Sequence, residues 1–106
     1  MLLASAAWAH AFLDHAEPKV GEVVTVSPKV IKAWFTQKLV IAFSSLEVFD
    51  GQGAEVDLKD KKLDSADQEL MTVSVPELKP GKYKVVWKAV SVDTHVTHGT
   101  YSFEVK

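Results

Sequence analysis

The chain has 106 residues, with 12 Lys and Arg against 14 Asp and Glu and a net charge of −2. That balance leaves no basic field to hold nucleic acid or an anionic membrane surface, so neither is expected as a partner. Cysteine is absent, which removes disulfides, thiolate metal sites and thiol nucleophiles and leaves His, carboxylate, amine or Met to hold any metal.

In chain order, residues 1–9 read as the C-terminal part of a secretory signal whose front is missing. Ala7 and Ala9 have the A-x-A form that signal peptidase accepts, so a cut after Ala9 makes His10 the first mature residue. A complete signal runs about 15–30 residues and carries a positive n-region, and neither Lys nor Arg precedes His10. The competing reading is an ordinary apolar extension with His10 at a strand edge. Met1-Leu2-Leu3 is far too short to cross a bilayer, so no membrane span is expected. Residues 10–106 then form one domain, because no Gly/Ser or Pro-rich linker divides them.

The remainder alternates apolar and polar residues with period two between turn signals, the pattern of half-buried antiparallel sheet. A first strand is expected over residues 11–16, followed by proline turns at Glu17-Pro18-Lys19 and Ser27-Pro28-Lys29. The next strand covers residues 30–36, with Ile31, Ala33 and Phe35 on one face and Trp34 on the other. Strands at 46–50 and 54–58 flank the hairpin turn Asp50-Gly51-Gln52-Gly53. Residues 59–69 are densely charged without an apolar face and read as a solvated loop with at most one helical turn. A strand at 70–75 follows, with Met71 as core. After Pro80-Gly81, the alternation of residues 83–89 puts Tyr83, Val85, Trp87 and Ala89 inward. The closing strand does the same with Tyr101, Phe103 and Val105. About seven short strands with charged outer faces and aromatic inner ones predict an all-β sandwich or closed barrel.

Chemistry concentrates at two places. If His10 is N-terminal, its amine, with a pKa of about 7.7–8, and its nearer ring nitrogen can chelate one metal ion. Between the two best strands lies Ser91-Val92-Asp93-Thr94-His95-Val96-Thr97-His98-Gly99. In extended backbone, residues i and i+2 share a side, so Asp93 and His95 project together. Joined to His10 they give three nitrogens and one oxygen, a tetragonal N,O set suited to Cu(II). The bland alternative for Asp93 and His95 is a hydrogen-bonded loop pair. His98 is expected to be a solvated loop histidine before a turn at Gly99, or else an outer-shell group, and His15 to be exposed or hydrogen-bonding structure. Ser91, Asp93 and His95 lie too close on one strand to converge on a scissile bond as a triad.

These residues resemble a known family. The stretch from His10 through Ala11, Phe12, Leu13 and Asp14 to Pro18, then Trp34-Phe35-Thr36-Gln37, then Leu78-Lys79-Pro80-Gly81-Lys82-Tyr83, and finally the run from Trp87 to Ser91-Val92-Asp93-Thr94-His95 are similar, in order and spacing, to the CopC family of periplasmic copper-binding proteins. The resemblance implies a seven-stranded Greek-key β-barrel, cupredoxin-like or immunoglobulin-like. It also implies one Cu(II) ion held by the amine and imidazole of His10, by Asp93 and by His95. Some members hold Cu(I) in a Met-rich middle stretch, but residues 46–70 here contain neither Met nor His. The expectation is therefore a monomeric, non-enzymatic periplasmic protein that sequesters or carries Cu(II). Its partner would be a CopD-type inner-membrane importer or another periplasmic copper protein. The competing classes are a copper-dependent oxidative enzyme of the histidine-brace type and an immunoglobulin-like interaction module without metal.

Overall fold

Period-two alternation buries one side of each strand, and two such sheets can hide their apolar sides only against each other. The computed structural model describes residues 11–106 and has this arrangement. Its strands are β1 (Leu13–Glu17), β2 (Val23–Val24), β3 (Val30–Phe35), β4 (Ser45–Phe49), β5 (Lys62–Leu63), β6 (Leu70–Ser74), β7 (Gly81–Val90) and β8 (Val96–Val105). One sheet has the order β1-β3-β6-β5 and the other β2-β8-β7-β4. Every neighbouring pair is antiparallel except β2 and β8, which run parallel. The chain crosses between the sheets repeatedly, so the all-β sandwich expected from the alternation is the fold found. The expectation of a signal segment over residues 1–9 falls outside the described residues.

Inward residues of both sheets make one core. Ile31, Ala33 and Phe35 from β3, Met71 and Val73 from β6, and Tyr83, Val85, Trp87 and Ala89 from β7 are all buried, as are Tyr101, Phe103 and Val105 from β8. Phe35 meets Trp87 edge-on with ring centroids 5.2 Å apart, an arrangement that adds about 0.5–1.5 kcal/mol beyond area burial. Tyr83 stacks on Phe103, and its hydroxyl donates to the Lys79 carbonyl at 2.6 Å. Trp34 faces outward from β3, half-buried, as the alternation requires.

Three local expectations change. Residues 54–58 do not form a strand, because they pass from one sheet to the other. Val56 N–H donates to the Val48 carbonyl of β4, and Leu58 N–H donates to the Ser74 carbonyl of β6. The charged stretch 59–69 contributes the two-residue β5, whose Lys62 and Leu63 pair with Thr72 and Met71. It contains no helical turn; instead Asp64 folds it back by accepting from the Ala66 and Asp67 amides, both at 3.0 Å.

The third change concerns the last strand, which begins at Val96 rather than near Thr100 and includes His98 and Gly99. Gly99 is no turn residue. It lies opposite Trp87 in the ladder, where a Cβ would come 2.7 Å from Trp87 Cζ2. A methyl there must displace the indole from the core. Gly99→Ala is therefore expected to lower stability by about 1–3 kcal/mol through overpacking, read as a lower urea midpoint with an unchanged slope.

Candidate metal centre

Strands β7 and β8 pair over ten registered positions, from Gly81 opposite Val105 to Val90 opposite Val96. The five residues between them, 91–95, must reverse the chain at the end of the sandwich. They do so as a tight turn: Thr94 N–H donates to the Ser91 carbonyl at 2.8 Å, and Ser91 N–H donates to the His95 carbonyl at 3.0 Å. Thr94 takes φ 71, the left-handed region that a non-glycine residue adopts at a cost. Asp93 and His95 thus meet through a turn rather than through strand alternation. The expected pairing is found by a different route.

The turn is clamped at its base. Segment 38–44 runs beside it, with Val92 N–H donating to the Lys38 carbonyl at 3.1 Å and Val40 N–H to the Val90 carbonyl at 2.8 Å. The buried Ser44 hydroxyl accepts from Val90 N–H at 3.0 Å and donates to the Val40 carbonyl at 2.9 Å. Ser91 is fully buried, and its hydroxyl donates to Asp93 Oδ1. That bond ties the buried Ser91 side chain to the Asp93 carboxylate. It was missed because a serine two places before an aspartate carries no sign of burial.

Asp93 Oδ2 lies 3.3 Å from His95 Nδ1, with both side chains about half exposed. The Ser91 hydroxyl holds the Asp93 carboxyl below its ordinary pKa, partial burial opposes this, and the nearby His95 lowers it further. The pair therefore presents an ionised carboxylate beside an imidazole at an accessible edge, one oxygen and one nitrogen donor suited to a borderline divalent cation. Among the described residues no third His, Asp or Glu joins them into a metal-holding group.

His10, the other expected donor, lies outside the described residues. The chain that follows it is firmly held. Ala11 is fully buried, and its carbonyl accepts from the Thr97 hydroxyl on β8, two residues beyond His95. Phe12 exchanges two bonds with Thr36, one from the Phe12 amide to Oγ1 and one from the Thr36 amide to the Phe12 carbonyl, both at 2.9 Å. Thr97 and Thr36 are positioning residues that local sequence could not reveal, since each acts on a segment remote in the chain. His98 and His15 stand apart from the pair. His98 is exposed on the outer face of β8 opposite Lys88, a strand residue rather than the loop residue expected. His15 is exposed on β1, hydrogen-bonded to Asp14.

Comparison with known proteins gives a consistent set. A family model described as the CopC domain matches residues 13–106. The chain is 35% identical over 106 residues to Protein YobA of Escherichia coli K12, spanning 99% of this chain and 86% of that protein. It is 32% identical to Copper resistance protein C of Escherichia coli, spanning 100% and 89%. Among solved structures, CopC from Methylosinus trichosporium OB3b matches with a TM-score of 0.85 at 33% identity, over 92% of this chain and 94% of that one. PcoC from Escherichia coli, described as a methionine-rich copper resistance protein, matches with a TM-score of 0.78 at 31% identity, over 92% and 100%.

The Ser91–Asp93 bond has a measurable signature. In Ser91→Ala the Asp93 carboxyl loses the largest influence depressing its pKa, so an NMR titration of the carboxyl carbon is expected to move upward relative to the parent chain. An unchanged midpoint would remove Ser91 from the account of the site.

Proposed function

The chain belongs to the CopC family, and from that premise we propose that it binds a single Cu(II) ion through the amine and imidazole of His10, Asp93 and His95. The observation that carries this reading is the meeting of Asp93 and His95 at 3.3 Å in a turn next to the strand that anchors Ala11. Ala11, the residue that follows His10 in sequence, is held on β8 two positions beyond His95. Cutting after Ala9 frees the amine of His10, and residues 10–106 then form the mature domain. Three nitrogens and one oxygen make a tetragonal set, and Cu(II) heads the affinity order of divalent first-row ions for such donors. The bond from Ser91 to Asp93 orients the carboxylate before copper arrives, in the way outer-shell partners orient metal ligands elsewhere.

Copper is cargo in this reading and no turnover is proposed. The protein sequesters or carries Cu(II) in the periplasm in support of copper resistance, with a CopD-type inner-membrane importer or another periplasmic copper protein as its recipient. With only Met1 and Met71 in the chain and Met71 fully buried, a thioether Cu(I) site of the Met-rich kind is left out of the proposal.

Intact mass fixes the N-terminus, and a Cu(II) titration of the same sample tests the site. The chain beginning at His10 is expected to bind one equivalent tightly, whereas a chain retaining Met1 binds weakly because its residue-10 nitrogen is a peptide amide. Asp93→Ala and His95→Ala each remove a donor and should each weaken binding by orders of magnitude, beyond the roughly 10–100-fold typical of losing an outer-shell partner, with an unchanged apo circular-dichroism spectrum. Binding should also fall as the pH drops below about 6, where imidazole and amine nitrogens hold protons that the metal must displace. Absence of tight Cu(II) binding by the processed chain sinks the proposal.

Thr97 supplies a test that touches no ligand. Thr97→Val keeps the side-chain shape and removes the donor to the Ala11 carbonyl. Competition with a chelator should register weaker Cu(II) binding, and hydrogen exchange should register faster opening at Phe12. An unchanged affinity would show that this anchor is unnecessary to the site.

A further inference from the structure

The outer face of the β2-β8-β7-β4 sheet is apolar at the metal end and basic along its middle. Tyr83, Val85, Trp87 and Ala89 point inward, so alternation puts Lys82, Lys84, Val86, Lys88 and Val90 outward. Segment 38–40 continues the ladder beside residues 90–92, which keeps Val92 on that outer side, and Val96 joins it from its place opposite Val90. Val92 and Val96 are each more than half exposed, as is Phe43. Phe43 belongs to a helical turn, Ile41–Phe43, none of whose residues is buried, and Ser44 ties that turn to the Val90 amide. Single exposed apolar side chains are ordinary, whereas a group of them at one place marks a contact surface. Here two of the three immediately flank Asp93 and His95 in the chain.

Beyond this patch the face turns basic. Lys88, Lys84 and Lys82 are exposed in a column along β7, and Lys38 is exposed beside Val92. Among the described residues none of these four makes an ion pair. The carboxylates on this side stand at its margins: Glu47 on β4, Glu104 opposite Lys82 at the far end, and Asp50, which accepts from the Gln52 and Ala54 amides of its own turn. A groove of about 620 Å³ runs over Lys84, Val86 and Ser102 below the turn at Asp50. We propose that this face, from the Phe43, Val92 and Val96 patch to the groove over Lys84, docks a partner protein whose contact surface has an apolar centre and an acidic rim. Complementary charge of this kind steers the encounter and sets its orientation. That the partner is the recipient of copper rests on the assignment of Cu(II) to Asp93 and His95. An incoming donor atom must reach an ion held between Val92 and Val96, so the recipient's surface meets those side chains, and the bound ion's two charges against one Asp93 carboxylate favour an acidic recipient further.

The test uses the metal-free chain beginning at His10, followed by amide NMR as a Glu-rich peptide with an apolar centre is added. Its outcome is separate from that of the Cu(II) titration, so the docking face and the copper reading stand or fall independently. The proposal expects shifts confined to Phe43, Lys84, Lys88, Val92 and Val96 and their neighbours on this face, weakening as salt rises, and none with a Lys-rich counterpart. Lys84→Gln/Lys88→Gln and Phe43→Ser should each weaken binding by about 3–10-fold. Lys32→Gln/Lys62→Gln, on the outer face of the other sheet, should leave it unchanged. Absence of shifts at millimolar peptide, or equal losses from the two lysine pairs, would overturn the proposal. The same footprint produced by phosphatidylglycerol vesicles would overturn it as well, because the face would then be a membrane-contact surface.

Discussion

The ten-residue antiparallel ladder between β7 and β8 governs the rest of this molecule. It supplies the central pair of one sheet and most of the aromatic core, and its register puts Trp87 opposite Gly99 and Tyr83 opposite Phe103. Because both strands run to the same end of the sandwich, the connection must be made in five residues. The chain makes it with a turn closed on Ser91 and carrying a left-handed Thr94. Asp93 and His95 are presented to solvent as a result of that closure. The geometry of the candidate site is thus inherited from the core, and a slip of one residue in the ladder would turn every core side chain of the strand to the opposite face.

A pair of exposed side chains is a poor chelate if each must be immobilised when the ion arrives, since ordering a side chain costs up to about 1.5–2 kcal/mol of conformational entropy. The turn reduces that cost in advance. Buried Ser91 holds one carboxylate oxygen, His95 stands against the other, and the backbone beneath is tied to segment 38–44. The same economy appears just before β1, where Thr36 and Thr97 hold Phe12 and Ala11. Two segments some eighty residues apart in sequence are held at one end of the sandwich by threonine hydroxyls.

Much of this was legible from residues alone. The alternation in β7 and β8 identified their inward faces, and the Trp34 side of β3 was read as outward. The family resemblance added topology and the copper reading, which periodicity cannot supply. What escaped reading has a common physical cause. β2 and β5 are two residues long, too short for any period to be visible, and exist because a neighbouring strand offers free backbone groups. Gly99 looked like a turn because glycine often makes one, whereas its real constraint is an indole on the facing strand. Residues 54–58 alternate like a strand, yet they cross between the sheets. The proximity of Asp93 and His95 was anticipated from strand alternation and arises from a turn.

The shortness of β2 and β5 has a further consequence. Each is the outermost strand of its sheet, and an edge two residues long offers almost no template on which another chain can add a strand. The remaining edges are broken differently. At β1 the Asp14 bulge interrupts the row of backbone groups. At β4 the Val48 amide donates to the buried Asp57 carboxylate at 2.8 Å, and the Val48 carbonyl accepts from Val56. Short edge strands and interrupted ladders are among the devices by which an open sandwich limits edge-to-edge pairing, without the closed circumference by which a true barrel removes its edges.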